Sequence, residues 1–244
     1  YALGVKRSFA SGQLALADLK ALKNQLGVTL NDVVLAVVAG ALREYLIYHH
    51  QLPDAPLAVS VPVGADEPGV VRSSGNNVTS LTTMIHIEME DPVQRLFAIK
   101  RHTEQGKADL EIFGKHQWSD LMQYVPPNLF TWSRRRNFRN KPADKPDYKP
   151  TSNLVISNVP GPREQLENEL GVLESLYSAG VLGEGLGLSV TVWSYMEQMN
   201  FGVLACDRAM PDPWRLAEGL PVALSELQRV VTASADYRDP PIRD

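Results

Sequence analysis

The chain has 244 residues, of which 44% are hydrophobic and 21% charged, and its formal net charge is −4. This composition is typical of a globular protein with one large or two small domains, and the negative charge argues against a general nucleic-acid-binding protein. The single cysteine, Cys206, excludes an internal disulfide and predicts a reducing, cytoplasmic setting. The longest apolar run, residues 33–42, is about half as long as a membrane-spanning helix.

The first predicted elements are two helices. Apolar residues recur at helical spacing over residues 14–26, and Gly27 follows as a C-terminal stop. Thr29 and Asp32 then have the spacing of a capping box, with Asp in the place of Glu or Gln. From this cap to Tyr48 the segment is apolar almost all round, which predicts a buried central helix.

In the middle of the chain, strands are predicted at residues 57–63 and 78–89, with a loop at 65–77 between them. Helices are predicted at residues 91–105 and 116–133. Asp91 and Pro92 supply an N-cap and a first helical proline. Residues 134–149 differ sharply, because seven basic residues against two acidic ones give a local charge of +5. With three prolines nearby, residues 134–150 are predicted to form a basic, extended linker. It is either a solvated loop or a contact for an anionic membrane surface or a phosphorylated cofactor.

A short buried strand at residues 154–156 is followed by Ser157, Asn158 and the rigid sequence Pro160-Gly161-Pro162. Polar groups fixed at the end of a strand are a common ligand site, although Asn158 could also bond only to local backbone. The later elements are strands at 172–181, 186–193 and 200–205, a helix at 213–231 and a frayed tail at 236–244. The last two strands form a hairpin. The fold class is therefore α/β or α+β, with helices packed on a mixed sheet.

Catalytic and metal-binding patterns are scarce. The five histidines are scattered and the lone cysteine has no partner at ligand spacing, so no metal site is predicted. The glycines from Gly183 to Gly187 precede a strand, which indicates a bend or close packing and not a phosphate loop. His49, His50 and Asp54 could form an oriented general base, but they lie where the long helix ends, where histidines often partner the helix dipole.

Several motifs in a fixed order carry a family resemblance. They are Asn31-Asp32 at the head of a helix, Asn158-Val-Pro-Gly-Pro162, the Gly-rich run into Leu188-Ser-Val-Thr-Val-Trp-Ser-Tyr195, and Cys206-Asp-Arg-Ala-Met-Pro-Asp-Pro213. Together they resemble the C-terminal half of the bacterial wax ester synthase/diacylglycerol acyltransferase (WS/DGAT) family. The resemblance implies a chloramphenicol acetyltransferase-like lobe over residues 1–235, without the N-terminal catalytic lobe.

The resemblance also implies a function and a set of partners. Members transfer an acyl group from acyl-CoA to diacylglycerol or a long-chain alcohol, with acyl-CoA as substrate and no bound cofactor. Their catalytic HHxxxDG motif lies in the N-terminal lobe, which is the implied partner, as part of the same product or as a cleaved fragment. The string at His49 and His50 has Ala55 in place of the final glycine and follows the Asn-Asp motif, so it is interpreted as a chance match.

The implied substrate-binding residues are Asn31, Asp32, Ser157, Asn158, Pro160 and Gly161, near a tunnel between the lobes. This chain alone is then expected to be inactive. Peripheral contact with the inner membrane or lipid droplets fits lipid substrates, and no nucleic-acid partner is expected. Two other functions remain open: a non-catalytic lobe that binds acyl chains, acyl-CoA or a partner protein, and a condensation-type acyltransferase that uses a carrier protein.

Overall fold

The structure is a computed structural model that describes residues 3–64, 78–113, 126–140, 148, 150–169, 171–183 and 185–233. Its helices are α1 (Leu16–Leu26), α2 (Leu30–Tyr48), α3 (Pro92–Phe113), α4 (Pro127–Asn140) and α5 (Pro213–Ala233). Its strands are β1 (Arg7–Ala15), β2 (Leu57–Gly64), β3 (Val78–Ile85), β4 (Leu154–Pro160), β5 (Glu167–Asn168), β6 (Gly171–Val172), β7 (Leu188–Tyr195) and β8 (Gln198–Cys206).

Six of these strands form one mixed sheet in the order β1-β8-β7-β4-β2-β3. The central strands β2, β4 and β7 are parallel, whereas β1, β8 and β3 pair antiparallel to their neighbours. The expected mixed sheet with packed helices is therefore confirmed. The predicted hairpin is also confirmed, since Tyr195 pairs with Gln198 across a two-residue turn.

Helix α2 forms the centre of the core, as its composition predicts. The capping box is present: Asp32 N donates to Thr29 Oγ1 at 3.2 Å, and Thr29 N donates to Asp32 Oδ2 at 2.9 Å. All residues from Asp32 to Leu42 are buried. The helix packs closely on α5, because a Cβ atom at Gly40 would lie 2.9 Å from the Ala223 Cβ atom.

One predicted strand is wrong, and one strand of the sheet was not predicted. The predicted strand at 172–181 is limited to Val172, and the following residues have no regular structure; side chains of β7 bind the carbonyl and hydroxyl oxygens of Ser178 in this segment. Strand β1 was not predicted, and the predicted helix at 14–26 begins only at Leu16. β1 is an edge strand of small and polar residues, mostly exposed or half-buried, so its apolar alternation is weak.

Other element ends differ from the prediction. β3 ends at Ile85 instead of residue 89, and α3 continues to Phe113 instead of residue 105. α4 includes residues 134–140, which were expected to be an extended linker; these residues precede the first proline of that segment, so nothing interrupts the helix. The predictions for residues 65–77, 116–125, 141–147 and 236–244 lie outside the described residues.

Membrane-spanning length was also tested on the described helices. None of them alone is long and apolar enough to cross a bilayer. The pair α1 and α2 meets the length and composition criteria only when taken together, and these two helices are bent by 109° relative to each other.

Candidate functional site

The predicted site residue Asp32 is completely enclosed at the first turn of α2. Its side chain is 1% exposed. Oδ2 accepts hydrogen bonds from the Thr29 backbone N–H at 2.9 Å and from the Thr29 hydroxyl at 2.7 Å. Oδ1 accepts from the hydroxyl of Thr103 on α3 at 2.8 Å, and Thr103 is itself fully buried. Asp32 therefore joins the start of α2 to α3.

These bonds limit what Asp32 can do chemically. The residue is 1% exposed and both carboxylate oxygens face donors inside the protein, so a substrate cannot reach either oxygen without displacing a structural contact. The neighbouring Asn31 is only half-buried. Of the two residues in this motif, Asn31 is the one with an amide within reach of a bound molecule.

The residues at the end of β4 are divided between the two faces of the sheet. Ser157 is paired with Thr191 of β7, and Asn158 is paired with Val192. Since neighbouring side chains of a strand point to opposite faces, Asn158 lies on the side of the buried Ile156, which is the side of the helices. Both polar residues are half-buried. They can donate and accept hydrogen bonds, but on different faces.

The turn after β4 is fixed by contact with β7. The Gly161 N–H donates to Ser194 Oγ at 3.2 Å, and a Cβ atom at Gly161 would collide with the Ser194 carbonyl oxygen. Pro160 is exposed and is paired with Ser194 at the last register position. Gly161 is thus needed for the close approach of the turn to β7. This contact holds the end of β4, with Ser157 and Asn158, in one position.

Sequence reasoning missed a group of polar side chains on the sheet face away from the helices. Gly12 faces Ala217 of α5, so Gln13 and its partner Asn200 lie on the opposite face. Gln13 Nε2 donates to Asn200 Oδ1 at 3.0 Å, while Nδ2 of the fully buried Asn200 has no hydrogen-bond partner among the described residues.

Thr191 and Trp193 lie on this same face and bind the irregular segment after β6. Trp193 Nε1 donates to Ser178 Oγ at 2.6 Å, and the Thr191 hydroxyl donates to the Ser178 carbonyl oxygen. The signal in the sequence is the alternation of Ser189, Thr191 and Trp193 with valines along β7. The alternation indicates one polar face, but it does not indicate which segment covers it.

The four histidines that the structure describes give no base at the end of β4. His49 is the C-cap of α2, where its ring packs on Tyr45, and His50 and Asp54 are exposed in the turn that follows. The sequence predicts this position for His49 and His50, at the end of the long helix. That the match to HHxxxD arises by chance stays a prediction.

A second histidine–carboxylate pair follows β3 and was not foreseen. His86 Nδ1 lies 2.7 Å from Glu88 Oε1, and the ring of His102 on α3 stacks on His86 with centroids 5.1 Å apart. Burial lowers the pKa of His102, and electrostatic interactions with His86 and Arg101 lower it further. His86 is 9% exposed, and its buried Nε2 has no hydrogen-bond partner in the part of the chain that the structure describes. The stacked rings of His86 and His102 join the end of β3 to α3.

The described residues, with the gaps given above, contain no group of three or more His, Cys, Asp or Glu side chains that could hold a metal ion. The end of β4 and the start of α2 offer amides and a hydroxyl instead. Such groups can bind and orient neutral or partly charged ligand atoms, but a proton acceptor for the reaction would have to come from elsewhere.

Comparisons with known proteins agree on one family. The sequence matches the family described as the WS/DGAT C-terminal domain over residues 74–228. It is 32% identical to the O-acyltransferase WSD of Acinetobacter baylyi, over 95% of this chain and 48% of that protein. It is 35% identical, over 95% of this chain and 48% of the relative, to a Mycobacterium tuberculosis protein whose name assigns it provisionally as a diacylglycerol O-acyltransferase. The chain thus spans about half the length of these curated relatives.

Solved structures extend the comparison to the fold. The wax ester synthase/diacylglycerol acyltransferase from Marinobacter aquaeolei matches with a TM-score of 0.71 and 28% identity, over 95% of this chain and 51% of that one. A nonribosomal peptide synthetase matches with a TM-score of 0.56 and 14% identity, over 97% of this chain and 23% of that one. The second likeness shows a shared fold alone.

Proposed function

The chain belongs to the WS/DGAT family, within which it corresponds to the C-terminal domain, and we propose that it is the C-terminal lobe of an acyl-CoA-dependent O-acyltransferase. The products would be triacylglycerol or wax ester. The observation that carries this proposal is the alignment of almost the whole chain with about half of each relative. The names of those relatives support O-acyl transfer as the reaction of the complete protein.

The division of labour follows from the groups that this lobe offers. In the reaction, the hydroxyl oxygen of the acceptor attacks the thioester carbonyl of acyl-CoA, an ester C–O bond forms, and the C–S bond breaks to release CoA as a thiol. A base must take the hydroxyl proton and return it to the leaving sulfur. The partner lobe, with its HHxxxDG motif, would supply that base.

Within this lobe, we assign substrate contact to Asn31, Ser157 and Asn158, whose half-buried polar groups can orient the acyl-CoA or the acceptor. Asp32 and Gly161 act through other residues: Asp32 anchors α2 to α3, and Gly161 fixes the turn against β7. Acyl-CoA is a substrate here, and no resident cofactor is required by this chemistry.

A peripheral membrane contact through α4 is part of the proposal. Its sequence contains four arginines and no acidic residue. Leu129, Phe130 and Trp132 are each about half exposed, and the Arg136 guanidinium lies 5.6 Å from the centre of the Trp132 ring. Aromatic and leucine side chains together with arginines suit the surface of a bilayer with anionic lipids. A lipid-droplet surface presents similar chemistry.

The test is an acyl-transfer assay on the protein joined to its N-terminal lobe, with radiolabelled acyl-CoA and either diolein or hexadecanol as the acceptor. Asn31→Ala and Asn158→Ala are each expected to lower kcat/KM by about fivefold or more, the loss of one hydrogen bond, without changing the free energy of unfolding. Asn24→Ala, on the exposed side of α1, is the matched control and should leave kcat/KM unchanged. Unaltered kcat/KM in both site variants would remove these residues from the substrate site.

A further inference from the structure

The irregular segment after β6, residues 173–181, lies directly on the sheet face away from the helices. Two glycines allow this close approach. A Cβ atom at Gly202 of β8 would collide with the Ser178 carbonyl oxygen, and a Cβ atom at Gly180 would collide with the Ser189 hydroxyl of β7. At these two points there is no space for a further side chain between the segment and the strands.

Side chains of β7 hold this segment in place. The Thr191 hydroxyl donates to the Ser178 carbonyl oxygen, and Trp193 Nε1 donates to Ser178 Oγ at 2.6 Å. Farther along the strand, the Tyr195 hydroxyl donates to the Leu173 carbonyl oxygen at 2.9 Å. Ser178 is therefore fixed at both its main chain and its side chain. The half-buried indole N–H of Trp193 has the hydrogen-bond partner that such a group needs.

Trp193 also contacts the turn at the end of β4. A Cβ atom at Gly161 would lie 3.6 Å from Trp193 Cε3, which is an ordinary van der Waals distance, so the glycine backbone lies beside the ring. Trp193 pairs with Val159, whose side chain is on the same face as that of Ser157 two residues earlier. Nε1 belongs to the five-membered ring of the indole and Cε3 to the six-membered ring. One rigid side chain thus joins the segment after β6 to the turn.

We propose that Trp193 is a positioning residue for the O-acyl transfer proposed above, and this inference rests on that function. The indole, held by Ser178, supports the turn from one side, while Ser194 Oγ accepts the Gly161 N–H. Substrate contact by Ser157 then depends on the hydrogen bond between Trp193 and Ser178, which itself takes no part in the chemistry. Small displacements of an orienting group lower the rate of an oriented reaction strongly.

The test is the acyl-transfer assay on the protein joined to its N-terminal lobe, with hexadecanol as the acceptor. Trp193→Phe keeps an aromatic ring and removes the N–H donor. It should lower kcat about fivefold, the effect of one neutral hydrogen bond, and change KM for acyl-CoA less than about twofold. Ser178→Ala removes the acceptor and should have the same effect. The double variant should be no slower than either single variant, because both remove one interaction.

Two matched controls are available on α5. Trp214→Phe makes the same change at a ring that is 52% exposed, and Ser225→Ala removes an exposed hydroxyl that is bonded to the Pro221 carbonyl oxygen. Both should leave kcat unchanged. Ser178→Ala alters one hydroxyl in a segment without regular structure, so it decides the test even if Trp193→Phe does not fold.

A spectroscopic measurement separates positioning from a purely structural role. In the joined protein with ¹⁵N-labelled tryptophan, the indole N–H signal that is lost in Trp193→Phe belongs to Trp193. Octanoyl-CoA, added without an acceptor, should shift this signal and leave that of Trp214 in place. Ser178→Ala should move the Trp193 signal before any ligand is added, which reports the lost hydrogen bond.

The outcomes distinguish this inference from the function on which it rests. If the wild type forms ester but folded Trp193→Phe and Ser178→Ala proteins have the same kcat as the wild type, only the inference is overturned. The same holds if Trp193→Phe alone is slower, since the ring would then act without Ser178, or if octanoyl-CoA leaves the Trp193 signal unmoved. No ester from the joined wild-type protein would overturn the proposed function and the inference together.

Discussion

Asp32 and Asn31 are neighbours in one motif, but they differ in what they contact. Asp32→Ala removes the acceptor of three hydrogen bonds and leaves the buried Thr103 hydroxyl without its carboxylate partner. We expect the free energy of unfolding to fall by about 2 kcal/mol, from the lost cap and the lost bond between α2 and α3, although the Thr103 hydroxyl can still donate to the Lys100 carbonyl oxygen. Chemical denaturation measures this loss.

Asn31→Ala is the companion variant, because it changes the adjacent half-buried residue on the same helical turn. It should alter the free energy of unfolding by less than about 0.5 kcal/mol while lowering substrate affinity. Equal destabilisation by both variants would mean that Asn31 is also structural. A stable Asp32→Ala protein would contradict the role of the carboxylate as the link between α2 and α3.

At single residues, the sequence predicted the structural role of Asp32 well but could not predict its partner. The spacing of Thr29 and Asp32 is a local signal, so the capping box could be recognised directly. Thr103 lies 71 residues away along the chain, and no local pattern relates it to Asp32. In the same way, Ser157 and Asn158 were recognisable as polar residues at a strand end, but which of them lies on the side of the helices depends on how β4 pairs with β7 and packs in the sheet.

At the scale of elements, the contact between β3 and α3 predicts sensitivity to acid. The pKa of His102 is lowered, so the folded protein binds this proton less readily than the unfolded chain does. Stability contributed by neutral His102 is therefore complete above about pH 6.5 and is lost as the pH falls toward its folded-state pKa. We expect the free energy of unfolding to decrease from pH 7 to pH 5, and denaturation at several pH values measures the slope.

His102→Gln should reduce this slope, because glutamine cannot take up the proton. The control is Lys107→Gln, an exposed position farther along α3, since lysine side chains do not ordinarily titrate in this range. If the free energy of unfolding changes with pH equally in the wild type and in His102→Gln, the acid sensitivity has another source. The contact between His102 and His86 would then not account for it.

Helix α4 predicts a salt-sensitive affinity for anionic bilayers. Changing Arg135, Arg136 and Arg139 to Gln should weaken binding to phosphatidylglycerol vesicles on the order of a hundredfold, at about 1 kcal/mol for each basic residue. Co-sedimentation at low salt measures it, and high salt should reduce wild-type binding as well. The control removes the same charge at Arg7, Lys20 and Lys107, which are exposed on other elements. Equal losses in both triple variants would contradict a specific role for α4.

The elements that could be predicted are those with a strong local pattern. Helix α2 and the β7–β8 hairpin have such patterns, and the structure confirms both. β1 is stabilised by nine residue pairs with β8, which are contacts between distant parts of the chain and leave little trace in its own composition. The segment after β6 contains apolar residues typical of a strand, but hydrogen bonds to Thr191 and Trp193 hold it in an irregular path.

In the molecule as a whole, the residues that the structure describes combine one continuous core with polar groups but no general base at the end of β4 and the start of α2. One continuous core joins the sheet to α1, α2, α3 and α5. The polar groups at the end of β4 and at the start of α2 can bind a ligand, but the described residues there supply no general base. This combination is what a binding lobe needs when the base lies on another lobe.

The most direct test of this account compares ester formation by the chain alone and by the chain joined to an N-terminal lobe that carries HHxxxDG. Both proteins would be given radiolabelled acyl-CoA and hexadecanol under the same conditions. We predict ester only from the joined protein, and none when the second histidine of HHxxxDG is replaced by alanine. Ester formation by the chain alone, abolished by His50→Ala, would contradict the account and make the string at His49 a catalytic motif.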